Sequence, residues 1–170
     1  GCPCCTGYQV SITNSLATQY PEIAKEWHPT KNGDLAPENM AFGSNEKVWW
    51  KCNKGPDHEW PAAVETRTRL GSGCPCCSGK KVSVTNNLGN HYPEVAKQWH
   101  PTKNGILTPD QVTYGTTKKY WWKCEVADDH EWKASPCKRT VYNRKCPACS
   151  GRQVSVTNSL ASLFPEVASQ

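Results

Sequence analysis

Aromatic and β-branched residues are concentrated in two short segments, 47–52 and 58–64, which flank a turn of Gly, Pro and Asp. Such segments on either side of a turn predict a β-hairpin. Strand alternation places Trp49 and Trp50 on opposite faces, so one of them is expected to be exposed. We interpret the Trp residues mainly as core residues, with stacking on unpaired bases as the alternative.

Short helices are predicted farther along the chain. Residues 82–84 are typical of a short strand, and residues 85–86 resemble a helix N-cap. A short helix is then expected to reach Tyr92, and Pro93 opens a second helix that is expected to run through Trp99. The pattern therefore predicts a small α+β unit, a hairpin with two short helices.

The chain repeats itself without gaps, and all 8 Trp residues fall into pairs at one constant spacing, such as Trp27 with Trp99 and Trp50 with Trp122. One choice of boundaries gives complete units at 6–77 and 78–149, the tail of an earlier unit at 1–5, and the start of a third at 150–170. We expect a piece of a longer array, because units in repeat proteins contact mainly their neighbours and arrays end in atypical caps.

Each complete unit carries the spacing Cys-x5-His, fifteen further residues, and then Cys-x2-Cys. Three thiolates and one imidazole suit zinc in a closed tetrahedral site, and a two-residue gap lets a tight turn direct both sulfurs at one ion. Cys2 and Cys5 would form half of a further, partial site. The predicted ligands of the two complete sites are Cys52, His58, Cys74, Cys77, Cys124, His130, Cys146 and Cys149.

Disulfides and redox-active Cys-x2-Cys pairs are the alternatives to zinc. Cys76 aligns with Ala148 in the next copy, so Cys76 and the equivalent Cys4 are not expected to be ligands, and Cys137 also lies outside the predicted sites. Three cysteines without a partner position argue against a disulfide framework. A redox pair is typical of a thioredoxin-like βαβ context. Four protein ligands leave no open position for a catalytic water, so we expect a structural metal and no enzyme.

Apolar residues are scarce, with a mean hydropathy of −0.72 over 170 residues. The longest apolar runs are two or three residues, against the roughly 20 that cross a bilayer. The first residues also lack the features of a secretory signal. We therefore expect an intracellular protein, cytoplasmic in a prokaryote or nuclear in a eukaryote, with no membrane partner. A small unit with few aliphatic residues is expected to gain much of its folding free energy from the metal.

Several motifs occur together in this chain: the segments 10–16 and 21–33, Val48-Trp49-Trp50-Lys51-Cys52, His58-Glu59-Trp60, and Cys74-Pro75-Cys76-Cys77-Ser78-Gly79. Together they resemble the treble-clef or probable zinc-ribbon repeat family. The resemblance covers essentially the whole chain and implies tandem zinc-ribbon or treble-clef-like repeats. The family is often joined to endonuclease-like domains, which implies nucleic-acid binding. Two features depart from the pattern of the family. One is the Cys that lies between the two ligands of the Cys-x2-Cys turn, called the knuckle below, and the other is the long Cys-x5-His loop.

Positive charge is concentrated near the end of the second unit. The formal net charge is +5, and two Cys3His zinc sites would lower it to about +3. A basic face could neutralise phosphates and make binding salt-dependent, whereas the alternative is ordinary solvated charge. Residues 133–152 hold Lys133, Lys138, Arg139, Arg144, Lys145 and Arg152 with no acid, and the other basic candidates are Arg67, Arg69, Lys80 and Lys81.

The first short helix of each copy combines a constant apolar side with a variable polar one. Leu and an aromatic residue recur four positions apart, which predicts the buried side. We hypothesise that the variable side enters the DNA major groove and reads a few base pairs, and the alternative is drift at exposed positions. The variable positions are Ser15, Asn87 and Ser159; Thr18, Asn90 and Ser162; and Gln19, His91 and Leu163.

The leading functional interpretation is a zinc-structured tandem array that binds duplex DNA, with a linked effector such as an endonuclease as a possible partner domain. A protein-binding zinc adaptor and an RNA-binding protein are the alternatives. The expected cofactor is Zn²⁺ at two complete sites and one partial site.

Overall fold

The computed structural model describes residues 9–169, which form two compact units, 9–81 and 82–169. The division falls four residues beyond the boundary between 77 and 78 drawn from the repeat. Residues 150–169, which begin a third copy of the repeat, belong to the second unit.

The first unit contains three α-helices and one hairpin in its described part. Its elements are α1 Leu16–Gln19, α2 Pro21–Ala24, a 3-10 turn Pro37–Asn39, β1 Lys47–Lys51, β2 Glu59–Ala63 and α3 Val64–Thr68.

The second unit repeats this order and adds the two helices that open the third copy. Its elements are α4 Leu88–His91, α5 Pro93–Ala96, a 3-10 turn Pro109–Gln111, β3 Tyr120–Lys123, β4 Glu131–Ala134, α6 Pro136–Thr140, α7 Leu160–Leu163 and α8 Pro165–Ala168.

The predicted hairpins are confirmed. Strands β1 and β2 pair antiparallel with Trp50 opposite Trp60, and β3 and β4 pair with Trp122 opposite Trp132. The alternation in β1 buries Trp50 completely and leaves Trp49 half-buried. Each hairpin therefore has an inner face of indole rings. These rings supply the apolar surface of the core, because aliphatic residues are scarce in the unit.

Each unit packs one small core on its hairpin. In the first unit Trp27 meets Trp50 edge to face, with ring centroids 5.6 Å apart, and in the second Trp99 meets Trp122 in the same way at 5.4 Å. Edge-to-face packing brings the positive edge of one ring to the negative face of the other. The buried core residues of the first unit include Leu16, Met40, Val48, Trp50, Trp60 and Val64.

The second helix of each unit is shorter than predicted. Helix α5 ends at Ala96 rather than running through Trp99, because Trp99 instead forms a bridge with Trp122 at the hairpin edge. The Lys123 amide donates to the Gln98 carbonyl at 2.8 Å, which ties this segment to β3. Pairing with the strand therefore replaces the last helical turn.

The strand predicted at 82–84 is absent, and a compact turn stands there. The Ser83 amide donates to Asn86 Oδ1 at 2.8 Å, and the Asn86 amide donates to the Ser83 carbonyl at 3.1 Å. Asn side chains compete with ladder hydrogen bonds in this way. The helix N-cap is Asn87, whose side chain accepts from the Asn90 amide, rather than residues 85–86.

Helices α3 and α6 follow directly on β2 and β4 and were not predicted. The sequence interpretation placed Val64 in the strand, whereas it is the first residue of α3 and is fully buried. In the second unit, Ser135 caps α6 and Pro136 occupies its first turn, a combination that favours helix initiation. These helices lead the chain back toward the second cysteine pair.

Candidate metal centres and basic cleft

Four ligand atoms meet at the end of the first hairpin. The candidate donor atoms of Cys52, His58, Cys74 and Cys77 all lie within 4.8 Å of one another. Cys52 Sγ is 3.7 Å from Cys77 Sγ, and His58 Nδ1 is 3.5 Å from the sulfurs of both Cys74 and Cys77. The imidazole therefore faces the cysteines with its Nδ1 atom.

The second unit builds the same cluster from Cys124, His130, Cys146 and Cys149. Cys124 Sγ is 3.6 Å from Cys149 Sγ, while His130 Nδ1 is 3.7 Å from Cys146 Sγ and 3.3 Å from Cys149 Sγ. Three ligands of each cluster are buried, and Cys77 and Cys149 reach the surface.

These separations match a tetrahedral zinc ion. Zn–S and Zn–N bonds of about 2.3 and 2.0 Å place two sulfurs about 3.8 Å apart and a sulfur and a nitrogen about 3.5 Å apart. A disulfide would require about 2.05 Å between sulfurs, and none of the eight cysteines in the described part of the chain forms one. The disulfide alternative is therefore wrong for them, and the donor set fits Zn²⁺.

The hairpin and a glycine turn hold the ligands in place. The Cys52 amide donates to the His58 carbonyl at 2.9 Å, so these two ligands extend the ladder of β1 and β2. The second pair sits on a turn in which the Gly79 amide donates to the Cys76 carbonyl at 3.0 Å. Gly79 has a φ of +71°, a conformation that favours glycine and folds the chain beneath the sulfurs.

One thiol of each cluster is difficult to ionise without a cation. Burial, followed by hydrogen bonds from the neighbouring sulfurs, raises the pKa of Cys77 to about 12, and the same causes raise the pKa of Cys149 to about 12. A divalent ion reverses this cost, because a coordinated thiol loses its proton outright. The donor set is thus chemically suited to a metal rather than to free thiolates.

The remaining cysteines have other positions. Cys76 lies in the core at 2% exposure, as does its counterpart Ala148, so it packs as a small apolar residue outside the cluster. Burial raises the pKa of its thiol. Cys137 lies in α6 and is half-buried. The partial site predicted at Cys2 and Cys5, and also Cys4, lie outside the described residues.

A buried histidine lies beside each hairpin. His100 is 5% exposed; its Nδ1 accepts from the amides of Thr102 and Lys103, and its Nε2 is 2.8 Å from Glu131 Oε1. Lys103 also pairs with Glu131. Hydrogen bonds from Lys103 and then His100 lower the pKa of Glu131 to about 2. The network fastens the 100–105 loop to β4.

The first unit holds its loop in the same way. His28 Nδ1 accepts from the amides of Thr30 and Lys31, and its Nε2 lies 3.1 Å from Glu59 Oε1. Hydrogen bonds from Lys31 and then His28 lower the pKa of Glu59 to about 2. The recurrence of His, Lys and Glu at equivalent positions of the two copies was the signal for this network.

Two of the predicted nucleic-acid contacts are wrong, because Arg67 and Arg139 are both only 6% exposed. The Arg67 guanidinium lies 4.7 Å from the Trp50 ring centroid and 5.1 Å from that of Trp60, and it pairs with Glu26. A guanidinium held on two indole faces is a packing element rather than a phosphate ligand.

Arg139 repeats this arrangement in the second unit. Its guanidinium lies 5.1 Å from the Trp122 ring and 5.0 Å from the Trp132 ring, and it bonds to Gln98. Its Nη1 also donates to the Arg144 carbonyl at 3.0 Å. The side chain is thereby held on its flat faces and through its two terminal nitrogens.

The base-reading hypothesis fails at the first position of the short helices. Ser15 and Asn87 are N-caps, 3% and 4% exposed, and their side chains accept from the amides of Thr18 and Asn90. Ser159 caps α7 in the same way through the Ser162 amide. Capping oxygens satisfy the helix amides and are not available to bases.

The other predicted positions of these helices are exposed, but two of them serve the preceding turn. The Gln19 side-chain amide donates to the Thr13 carbonyl at 2.9 Å, and that of Asn90 donates to the Val84 carbonyl at 3.2 Å. The His91 ring packs 5.3 Å from that of Tyr114. A four-residue helix is about 6 Å long and offers too short a surface to follow the major groove.

A basic cleft opens in the second unit beside β4 and α6. Its volume is about 860 Å³. The lining residues contain six cations and no carboxylate: they are Trp132, Lys133, Ala134, Lys138, Arg139, Tyr142, Arg144, Lys145, Pro147, Arg152 and Gln153. Except for the stacked Arg139, these cations are exposed, so the structure brings together the cluster singled out in the sequence.

The first unit has different residues at the corresponding positions. Lys138, Arg144 and Lys145 correspond to Thr66, Ser72 and Gly73, and Tyr142 corresponds to Leu70. Of the other candidates, Arg69 pairs with Glu65, Lys81 donates to the Glu59 carbonyl at 2.7 Å, and Lys80 is exposed. The exposed basic cluster is therefore a property of the second repeat.

Each Cys3His cluster lies on a short hairpin and the Cys-x2-Cys turn that follows it, flanked by helices. Two such units define a tandem zinc-binding module of the α+β class. The sequence profile of a family described as the probable treble clef zinc finger domain matches residues 23–80 and 95–152. The chain belongs to this family, with two copies of the domain. No curated protein matches the chain.

Among the helices that the structure describes, none has the length and apolar character required to cross a membrane.

Proposed function

We propose that the chain is a DNA-binding zinc module and that the basic cleft of the second unit holds the phosphate backbone of duplex DNA. The observation that carries the proposal is the cleft lining, in which Lys133, Lys138, Arg144, Lys145 and Arg152 are exposed without an acidic neighbour in the lining. Cations gathered in this way displace the counterions of DNA, which supplies most of the non-specific binding free energy.

The zinc sites support this role indirectly. The ligands Cys146 and Cys149 lie in the same stretch of chain as Arg144, Lys145 and Arg152. The metal would hold the knuckle and thereby fix the direction of these long side chains, which lose less entropy on binding when their backbone is rigid. The zinc is structural in this proposal, and phosphate contacts carry no sequence information by themselves.

The test is a titration of the zinc-loaded chain with duplex DNA over a range of salt concentrations. The logarithm of the binding constant should fall linearly with the logarithm of the salt concentration. The triple variant Lys138→Thr, Arg144→Ser and Lys145→Gly carries the residues of the first unit at the same positions. Loss of three phosphate contacts should make the slope shallower by about 3.

The control variant removes three exposed lysines from the first unit, Lys25→Ser, Lys47→Thr and Lys54→Gly. Its net charge equals that of the cleft variant, so a general effect of charge would weaken binding equally in both. Equal slopes for the two variants would overturn the assignment of the cleft. Tighter binding to single-stranded DNA or RNA would overturn duplex DNA as the ligand, and no binding to any of the three would favour a protein-binding adaptor.

A further inference from the structure

The second zinc site contacts a turn that belongs, by the repeat, to the next copy. Residues 155–158, Ser-Val-Thr-Asn, correspond to 11–14 in the first unit and lie beyond residue 152, where the family match ends. In the structure this 155–158 turn packs on the ligand His130 and on the knuckle that carries Cys146 and Cys149.

The contact is made on the side of the imidazole that faces away from the sulfurs. His130 presents Nδ1 to the cysteines, while its Nε2 lies 3.0 Å from Ser155 Oγ and 2.9 Å from Thr157 Oγ1. An Nδ1 that gives its lone pair to a metal leaves the proton on Nε2. This N–H then donates to the two hydroxyl oxygens, and such a partner fixes the tautomer of a ligating histidine.

Two further hydrogen bonds fasten the turn to both parts of the site. The Asn158 side-chain amide donates to the carbonyl of Ala148, which lies between the knuckle cysteines, at 2.9 Å. The Val156 amide donates to the carboxylate of Asp129, the residue before His130, at 2.8 Å. The turn thus connects the segment that carries His130 with the segment that carries Cys146 and Cys149.

We propose that Ser155 and Thr157 are positioning residues of the second zinc site. They hold the Nε2–H tautomer and the ring orientation of His130, so the opening turn of the third copy completes the metal centre of the second. The zinc-binding unit is then longer than the segment that the family defines. Partners of this kind typically change metal affinity by about 10- to 100-fold when they are removed.

Ser155 Oγ and Thr157 Oγ1 also form a hydrogen bond with each other at 2.7 Å. The two hydroxyls could therefore stabilise their own turn without acting on His130. The corresponding Ser11 and Thr13 hydroxyls make the same mutual bond at 2.9 Å. Among the described residues, however, no zinc-ligand imidazole is a hydrogen-bond partner of that earlier pair. The chain therefore contains its own control.

The experiment compares the zinc-loaded full chain with the double variants Ser155→Ala, Thr157→Val and Ser11→Ala, Thr13→Val. Competition with a chromophoric chelator should show one of the two zinc ions bound about 10- to 100-fold more weakly in the first variant. The second variant should retain the affinities of the native chain. The conservative variant Ser155→Thr, Thr157→Ser keeps both hydroxyls and should restore the affinity.

Long-range proton–nitrogen NMR spectra of the His130 ring provide a readout that turn stability alone would not move. The native chain should show a proton on Nε2 that exchanges slowly with water, and this exchange should become faster in the Ser155→Ala, Thr157→Val variant. Unchanged zinc affinity in this variant, or a proton found on Nδ1 of the metal-loaded chain, would overturn the proposal.

Discussion

The Arg67 guanidinium lies 4.7 Å from the centroid of the Trp50 ring, in the core beside the first zinc cluster. The ring of Trp60, the residue opposite Trp50 on the next strand, lies 5.1 Å from the same group. A cation stacked on both rings packs the hairpin face that aliphatic side chains would fill in other proteins.

Replacing Arg67 by Ala should lower the free energy of unfolding by about 2–4 kcal/mol, because it removes the packing of the side chain and leaves Glu26 without its partner. Arg69→Ala is the control: this side chain is exposed and pairs with the partly exposed Glu65, so a loss below about 0.5 kcal/mol is expected. Urea unfolding of both variants, loaded with zinc, makes the comparison. Equal losses would show that the stacking contributes nothing.

Removal of zinc should unfold both units. The four-residue helices are far below the length that is stable alone, and the cores contain few aliphatic side chains. Addition of excess chelator should abolish the near-ultraviolet circular dichroism of the Trp residues, and added Zn²⁺ should restore it. A spectrum that excess chelator leaves unaltered would refute a folding role for the metal.

The buried imidazole of His100 should be important for stability. His100→Ala leaves the Thr102 and Lys103 amides without their acceptor and removes the partner of Glu131, so a loss of about 2 kcal/mol or more is expected. His91→Ala provides the control, because His91 is exposed, and should cost less than about 1 kcal/mol. Thermal unfolding would measure both, and similar melting temperatures for the two variants would contradict this interpretation of the loop.

The turn beneath the first cluster should require a glycine at position 79. Gly79→Ala forces a side chain into a φ of +71° and should cost about 1–2 kcal/mol. Gly73 has no positive φ, and a Cβ added there would meet nothing within 4 Å. Gly73→Ala should therefore be neutral or slightly stabilising, since it restricts the unfolded chain. Chemical denaturation compares the two, and an equal cost would exclude backbone conformation as the cause.

The zinc ligands could be predicted from the sequence because their chemistry fixes both residue type and spacing. The same four positions recur in both complete copies, and the substitution of Cys76 by Ala148 removed the ambiguous cysteine. The hairpin followed from its aromatic strands and the turn between the first two ligands. These features depend on local pattern alone.

The features that were missed depend on tertiary context. Val64 follows a run of strand-like residues, yet it is the first residue of α3 and is buried there. Arg67 and Arg139 were assigned to the surface because arginine is usually exposed. The same position holds an arginine in both copies, whereas the basic residues near it in the sequence differ between the copies. This difference was the available signal for a packing role.

The edge-to-face indole pairs give each unit its own optical label. Trp27 with Trp50, and Trp99 with Trp122, bring two indole rings, each with strong transition dipoles, into contact with their planes nearly at right angles. Such dipoles couple and produce a paired positive and negative band in the far ultraviolet. Replacing Trp27 or Trp99 with Phe would silence one label, so the melting of the two halves could be followed separately in an intact chain.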